Sequence, residues 1–180
     1  MSWYVAFDGA RRIASGDRRE VALALKRCES GSLLAFEMAS GAQVDFDLRG
    51  AEAEVAERYS DSERGRGRPK LGVIAREVTL LPRHWDWLAR QRGGASAALR
   101  RLVDAARAAD QGATDAAAAR EAAYRFLSAI AGDRPHFEEA ARALFAGDLA
   151  RLRALSADWP TDIVDVAFAR LEAGEGALSA

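Results

Sequence analysis

Apolar positions along this chain switch between strand and helix periods, and the switches mark out its elements. Residues 3–7 read Trp-Tyr-Val-Ala-Phe, a short apolar run closed by Asp8-Gly9, and residues 11–14 can return antiparallel across that turn. Asp17 with Glu20 three residues on has the form of a capping box. Val21, Ala24, Leu25 and Cys28 then recur at helical spacing, and Lys26 and Arg27 favour the negative end of the dipole. Past Gly31 the period falls to two: Leu34, Phe36 and Met38, a turn at Ser40-Gly41, then Val44, Phe46 and Leu48 alternating with Asp45, Asp47 and Arg49. This predicts a β-hairpin with one wet face and one apolar face, which the helix can cover.

Residues 51–59 fit one helix, but 60–70 have no apolar period and read as a linker. A strand is predicted over 73–81, stopped by Pro82. Pro82 or Arg83 then opens a short helix, with Trp85, Leu88 and Ala89 on one face and Trp85 in the core. Gly93-Gly94 breaks that helix and Ser96 is placed as the N-cap of the next, where Leu99, Leu102, Val103 and Ala106 make an apolar stripe. The remainder predicts helices: Thr114 or Asp115 to Gly132, Pro135 to Gly147, one from Asp148, and a last one from Thr161 after the Trp159-Pro160 break. The fold class is therefore α+β. A small N-terminal β-α-β-β unit (1–50) leads into a basic linker (51–72), a strand-helix-helix segment (73–109) and a C-terminal helical bundle (114–172).

Composition adds one strong constraint. Net charge is only −1, yet residues 64–107 carry eleven Lys or Arg against three acids, a local charge of +8. The rest of the chain holds fifteen against twenty-four, or −9. Only Lys26 and Lys70 among 26 basic residues are lysines, a bias that explains many arginines but not the scarcity of acids in one window. Such segregation points to a polyanion partner for the middle of the chain. The lone Cys28 excludes an internal disulfide and a cysteine-rich zinc site. The N-terminus has no basic region, and no apolar run reaches the roughly 18 residues of a membrane span, so a cytoplasmic, non-membrane protein is expected.

Enzyme signatures are missing: no Walker-type loop, no Gly-x-Gly-x-x-Gly, no nucleophile elbow, no His-Glu-x-x-His. Two histidines and one cysteine leave little for covalent or acid–base chemistry, and neither enzymatic activity nor a cofactor nor a metal is expected. His84 and Asp86 are two apart, on different faces of a helix. Asp45 and Asp47 share a strand face suited to solvent more than to a cation.

Arg64-Gly65-Arg66-Gly67-Arg68-Pro69-Lys70 resembles an AT-hook, the minor-groove peptide built on Gly-Arg-Pro with basic flanks. The resemblance puts Arg66 and Arg68 in the groove and Arg64 and Lys70 on phosphates. Residues 73–107 resemble the ribbon-helix-helix family of bacterial repressors and antitoxins through Val78-Thr79-Leu80-Leu81-Pro82, Gly93-Gly94 and the helix from Ser96. That family pairs one strand from each of two chains, which implies a homodimer, and binds a phosphate at the second helix's N-terminus, here near Ser96. In the family's register Arg76, Val78 and Leu80 face the DNA; in the opposite register Glu77 and Thr79 do. Residues 11–16, 44–50, 66–88, 93–104, 121–132 and 137–148 together resemble a bacterial domain-of-unknown-function family, numbered twenty-two thirty-nine, over nearly the full length.

The functional expectation is a DNA-binding homodimer that regulates transcription, using Arg64, Arg66, Arg68, Lys70, Arg76, Thr79 and Ser96, with the acidic ends free for a protein partner. Two alternatives stand beside it. One is a protein-interaction module with a plain arginine–glycine linker; the other is a small-molecule sensor or enzyme built on the N-terminal sheet.

Overall fold

The computed structural model describes residues 3–29, 31–60, 76–110 and 112–175. It is a mixed α+β structure that divides into two compact units, one formed by residues 1–60 with 112–180 and the other by residues 61–111.

In the larger unit, β1 (Tyr4–Asp8) and β2 (Arg11–Gly16) form a hairpin across Gly9, whose φ of +57° suits a residue without Cβ. The register slips between Ala6 and Phe7, a bulge that bends the strand. Helix α1 (Arg18–Arg27) follows, and its capping box is formed as the sequence predicts. The Asp17 carboxylate accepts from the Glu20 N–H at 2.8 Å, and the Glu20 carboxylate accepts from the Asp17 N–H at 2.9 Å. Strand β3 (Leu33–Glu37) then pairs antiparallel with the other edge of β1, giving the order β2-β1-β3.

The order of elements is thus β-β-α-β, and the predicted last strand is not one. Residues 44–49 have no regular secondary structure, and the segment is held to β3 by a single bridge from Gln43 to Phe36 and by the Val44 N–H donating to the Ala35 carbonyl. The alternation is right: Val44, Phe46 and Leu48 pack inward while Asp45 and Arg49 face solvent. Side chains, however, take the backbone groups that a ladder would need. Helix α2 (Glu52–Arg58) aims the Arg58 guanidinium at the carbonyls of Asp47 and Arg49, at 2.7 and 3.1 Å. The Asp47 N–H donates to the Tyr59 hydroxyl, and Lys26 Nζ donates to the Leu48 carbonyl. Arg18 adds a cation–π clamp, its guanidinium 5.4 to 5.9 Å from the ring centroids of Tyr4, Phe46 and Tyr59.

Both faces of the sheet are covered. Tyr4, Ala6 and Ala35 face α1, with Val21, Leu25 and the 44–48 segment against them. Val5, Phe7 and Phe36 face the opposite way, into a core built by the C-terminal helices α5 (Ala113–Ala131), α6 (Phe137–Ala146), α7 (Leu149–Leu155) and α8 (Thr161–Glu175). Phe7, Phe36 and Phe126 of α5 form an aromatic triangle, with centroids 5.0 to 6.4 Å apart. Helix α5 begins at Ala113, ahead of the predicted Thr114 or Asp115 cap, and α7 is capped by Asp148 as predicted. Trp159 closes the bundle, buried, with its indole N–H on the Pro135 carbonyl at 3.0 Å.

Gly41 sits where the turn after β3 meets α5. Its φ is +68°, and a Cβ there would run into the Ala122 carbonyl. Gly41→Ala is therefore expected to cost at least about 2 kcal/mol, read as a lower urea midpoint. Asp47 supplies a pH dependence. Hydrogen bonds from the Arg49 side chain and backbone N–H, with weaker attraction from Arg58, hold its carboxyl below the usual carboxylate range. A carboxyl depressed in the folded state contributes stability above its unfolded value near about 4 and loses it as pH falls. Asp47→Asn should accordingly melt below wild type at neutral pH, with the gap closing in a series of melts below about pH 4. The pair is solvent-exposed, so the effect should be modest.

Candidate nucleic-acid interface

The smaller unit contains the basic segment. Arg64, Arg66, Arg68 and Lys70 lie outside the described residues, as does the first part of the predicted strand. Residues 76–81 are described, and they form no strand and take no place in the β2-β1-β3 sheet. With no neighbouring strand to pair with, the predicted strand over 73–81 is absent from its described part. Arg76 and Thr79 are both exposed there.

Helix α3 (Pro82–Ala89) starts at the predicted proline, whose missing N–H costs nothing in a first turn. A turn through Gly93, at φ +83°, leads to α4 (Gly94–Asp110), and the two helices pack on each other. Ser96 is not the N-cap of α4. The helix starts earlier, at Gly94, because two consecutive glycines at positive φ complete the turn before the serine is reached. Ser96 lies exposed in the first helical turn, where free backbone N–H groups gather.

Two expectations about the core are corrected. Trp85 is 42% exposed, and the stripe on α4 is largely outside, with Leu102 at 49% and Val103 at 55%. Leu88 and Ala98 are the buried residues of α3 and α4. Val78, Leu81 and Trp87 add further exposed apolar surface. The apolar period correctly marks faces that favour burial, but α3 and α4 alone are too few to bury them.

The electrostatics of the unit are one-sided. Arg76, Arg83, Arg90, Arg92, Arg100, Arg101 and Arg107 are all exposed, and none has a carboxylate partner among the described residues. His84 and Asp86 are exposed on α3. His136, exposed, sits in the turn just before α6 with a φ of +64°. Asp47 is engaged by Arg49 and Arg58. Among the described residues no group of three His, Cys, Asp or Glu side chains converges for a metal ion, and no helix is long and apolar enough to cross a membrane.

No curated protein and no solved structure matches the chain. A family profile does, over residues 3–171, a span that takes in the sheet, the basic segment and most of α8. The chain therefore belongs to the DUF2239 family, described as an uncharacterized protein conserved in bacteria.

Proposed function

We propose that this protein binds DNA as a homodimer and acts as a regulator of transcription, with Arg64, Arg66, Arg68 and Lys70 as its main contacts. The observation that carries the reading is the segregation of charge: a +8 segment in a chain of net charge −1, whose described arginines are solvent-facing and free of acidic partners. Arginines kept apart from carboxylates are available to phosphates, and glycine-spaced arginines fit a narrow A·T minor groove. Arg76, Thr79 and the first-turn N–H groups near Ser96 would add backbone contacts rather than base reading.

The homodimer rests on a different feature. Val78, Leu81, Trp85, Trp87, Leu102 and Val103 are 42 to 55% exposed within one short stretch of chain. Apolar side chains gathered this densely favour an interaction surface. Residues 76–80 carry no strand partner, and a second copy would supply both the missing strand and the cover for the helices.

Binding should be dominated by counterion release. In gel-shift titrations on A·T-rich duplexes, raising salt from roughly 50 to 200 mM should weaken binding about a hundredfold if about four phosphates are neutralised. Arg66→Ala with Arg68→Ala should remove most of the A·T preference; unchanged binding would refute the minor-groove contact. Sedimentation equilibrium should show a dimer that Leu102→Glu with Val103→Glu converts to a monomer of unchanged helix content. A wild-type monomer at micromolar concentration would instead assign the apolar face to a different protein partner.

A further inference from the structure

The sheet face that looks toward α8 is not fully filled. A cleft of about 350 Å³ lies there, bounded by the end of β1, by β2, by the turn after β3 and by the last turns of α8. Trp3, Met38 and Val166 are among its apolar walls, and Trp3 is 56% exposed at its edge. Its size falls within the roughly 300–1,000 Å³ typical of small-molecule sites.

The polar groups of the cleft are of one kind. Arg12 and Arg170 both line it, together with the hydroxyl-bearing Ser15. Neither guanidinium has a carboxylate partner among the described residues. Asp162 of α8 spends an oxygen on the backbone N–H of Arg12 at 2.8 Å rather than on its guanidinium. Arg170 reaches back to the Ala39 carbonyl through Nη2 at 3.2 Å, a bond to a neutral acceptor that leaves its positive charge without a counter-ion. A carboxylate is the group that matches a guanidinium fork in both charge and geometry. No acidic side chain lines the cleft, so an anion entering it meets no like charge.

We infer that this cleft binds a small amphipathic monocarboxylate, with its hydrocarbon part against Trp3, Met38 and Val166 and its carboxylate on Arg170 and Arg12. Apolar walls exclude a strongly hydrated polyanion such as a nucleotide phosphate chain. The two cations select against a neutral or cationic molecule with the same tail. The site belongs to the larger unit and stands independently of the DNA reading.

The test uses the full chain and isothermal titration with decanoate, decanol and decyltrimethylammonium, each below its micelle concentration. Saturable one-to-one binding of decanoate is expected, about tenfold or more tighter than decanol, with the ammonium weakest. Met38→Trp, which fills the cleft, should abolish binding, and this separates the cleft from the exposed apolar face of α3 and α4. Arg170→Met should bring decanoate down to the decanol affinity. Because that substitution also removes the bond to Ala39, Arg12→Met, at an exposed position, serves as a second variant and should cut the carboxylate preference without altering the melt. Equal affinity for the three probes, binding that survives Met38→Trp, or a carboxylate preference kept by both arginine variants would each overturn the inference. So would the absence of saturable binding.

Discussion

The larger unit depends on the burial of β1 from both sides. Tyr4, Val5, Ala6 and Phe7 are all buried, so each face of a strand five residues long needs its own cover. α1 and the 44–48 segment cover one face from nearby in sequence. The other is covered only from the far end of the chain, where Phe126 completes the triangle with Phe7 and Phe36 and α8 packs beside it. A three-stranded sheet this short is marginal on its own, and the long-range aromatic contact joins it to a helical core large enough to stand. The chain leaves this unit after Ser60 and returns at Gly112, so the basic segment is an insertion into an otherwise continuous fold. Insertions of this kind are tolerated because loop-closure entropy rises only slowly with length.

Much of this was legible in the residues, and the reasons differ from element to element. The Asp17 capping box, the proline at the start of α3, the Asp148 cap and the glycine stop after α6 are local devices whose chemistry acts within a few residues. Periodicity identified the faces of Val44, Phe46 and Leu48 correctly, although the strand itself is missing. Alternation reports which side chains turn inward; it does not report whether Arg58, Tyr59 and Lys26 will claim the backbone groups. The joining of the sheet to the C-terminal helices was not legible either. An amphipathic helix advertises a face that wants cover, and nothing in its period names the surface that provides it.

That same distinction explains the smaller unit. Leu99, Leu102, Val103 and Ala106 have the spacing of a core stripe, and in α4 most of them face outward. Both facts follow from one cause: the stripe is a demand for burial, and α3 alone is too short to meet it. Trp85 and Trp87 sharpen the point, since side chains of that size lose the most by staying wet. The cleft above β2 is the opposite case. Arg12 and Arg170 are far apart in sequence, and neither stands out as a ligand group there. Only the packing of α8 across the sheet brings them to one cavity.

The near-neutral total charge is the sum of two segregated regions of opposite sign. A polyanion partner rewards a concentrated positive segment, and the scarcity of acids in 64–107 keeps those arginines from being consumed internally. The −9 remainder acts in the other direction, because an acidic body is repelled by phosphates that the basic segment attracts. For a nucleic-acid partner, such a distribution would suppress unspecific adhesion of the whole surface and confine contact to the stretch that carries the arginines. Within that acidic remainder, a cleft bearing two guanidiniums without a carboxylate partner among the described residues is a local reversal of sign. A carboxylate is the partner whose charge would complement that reversal.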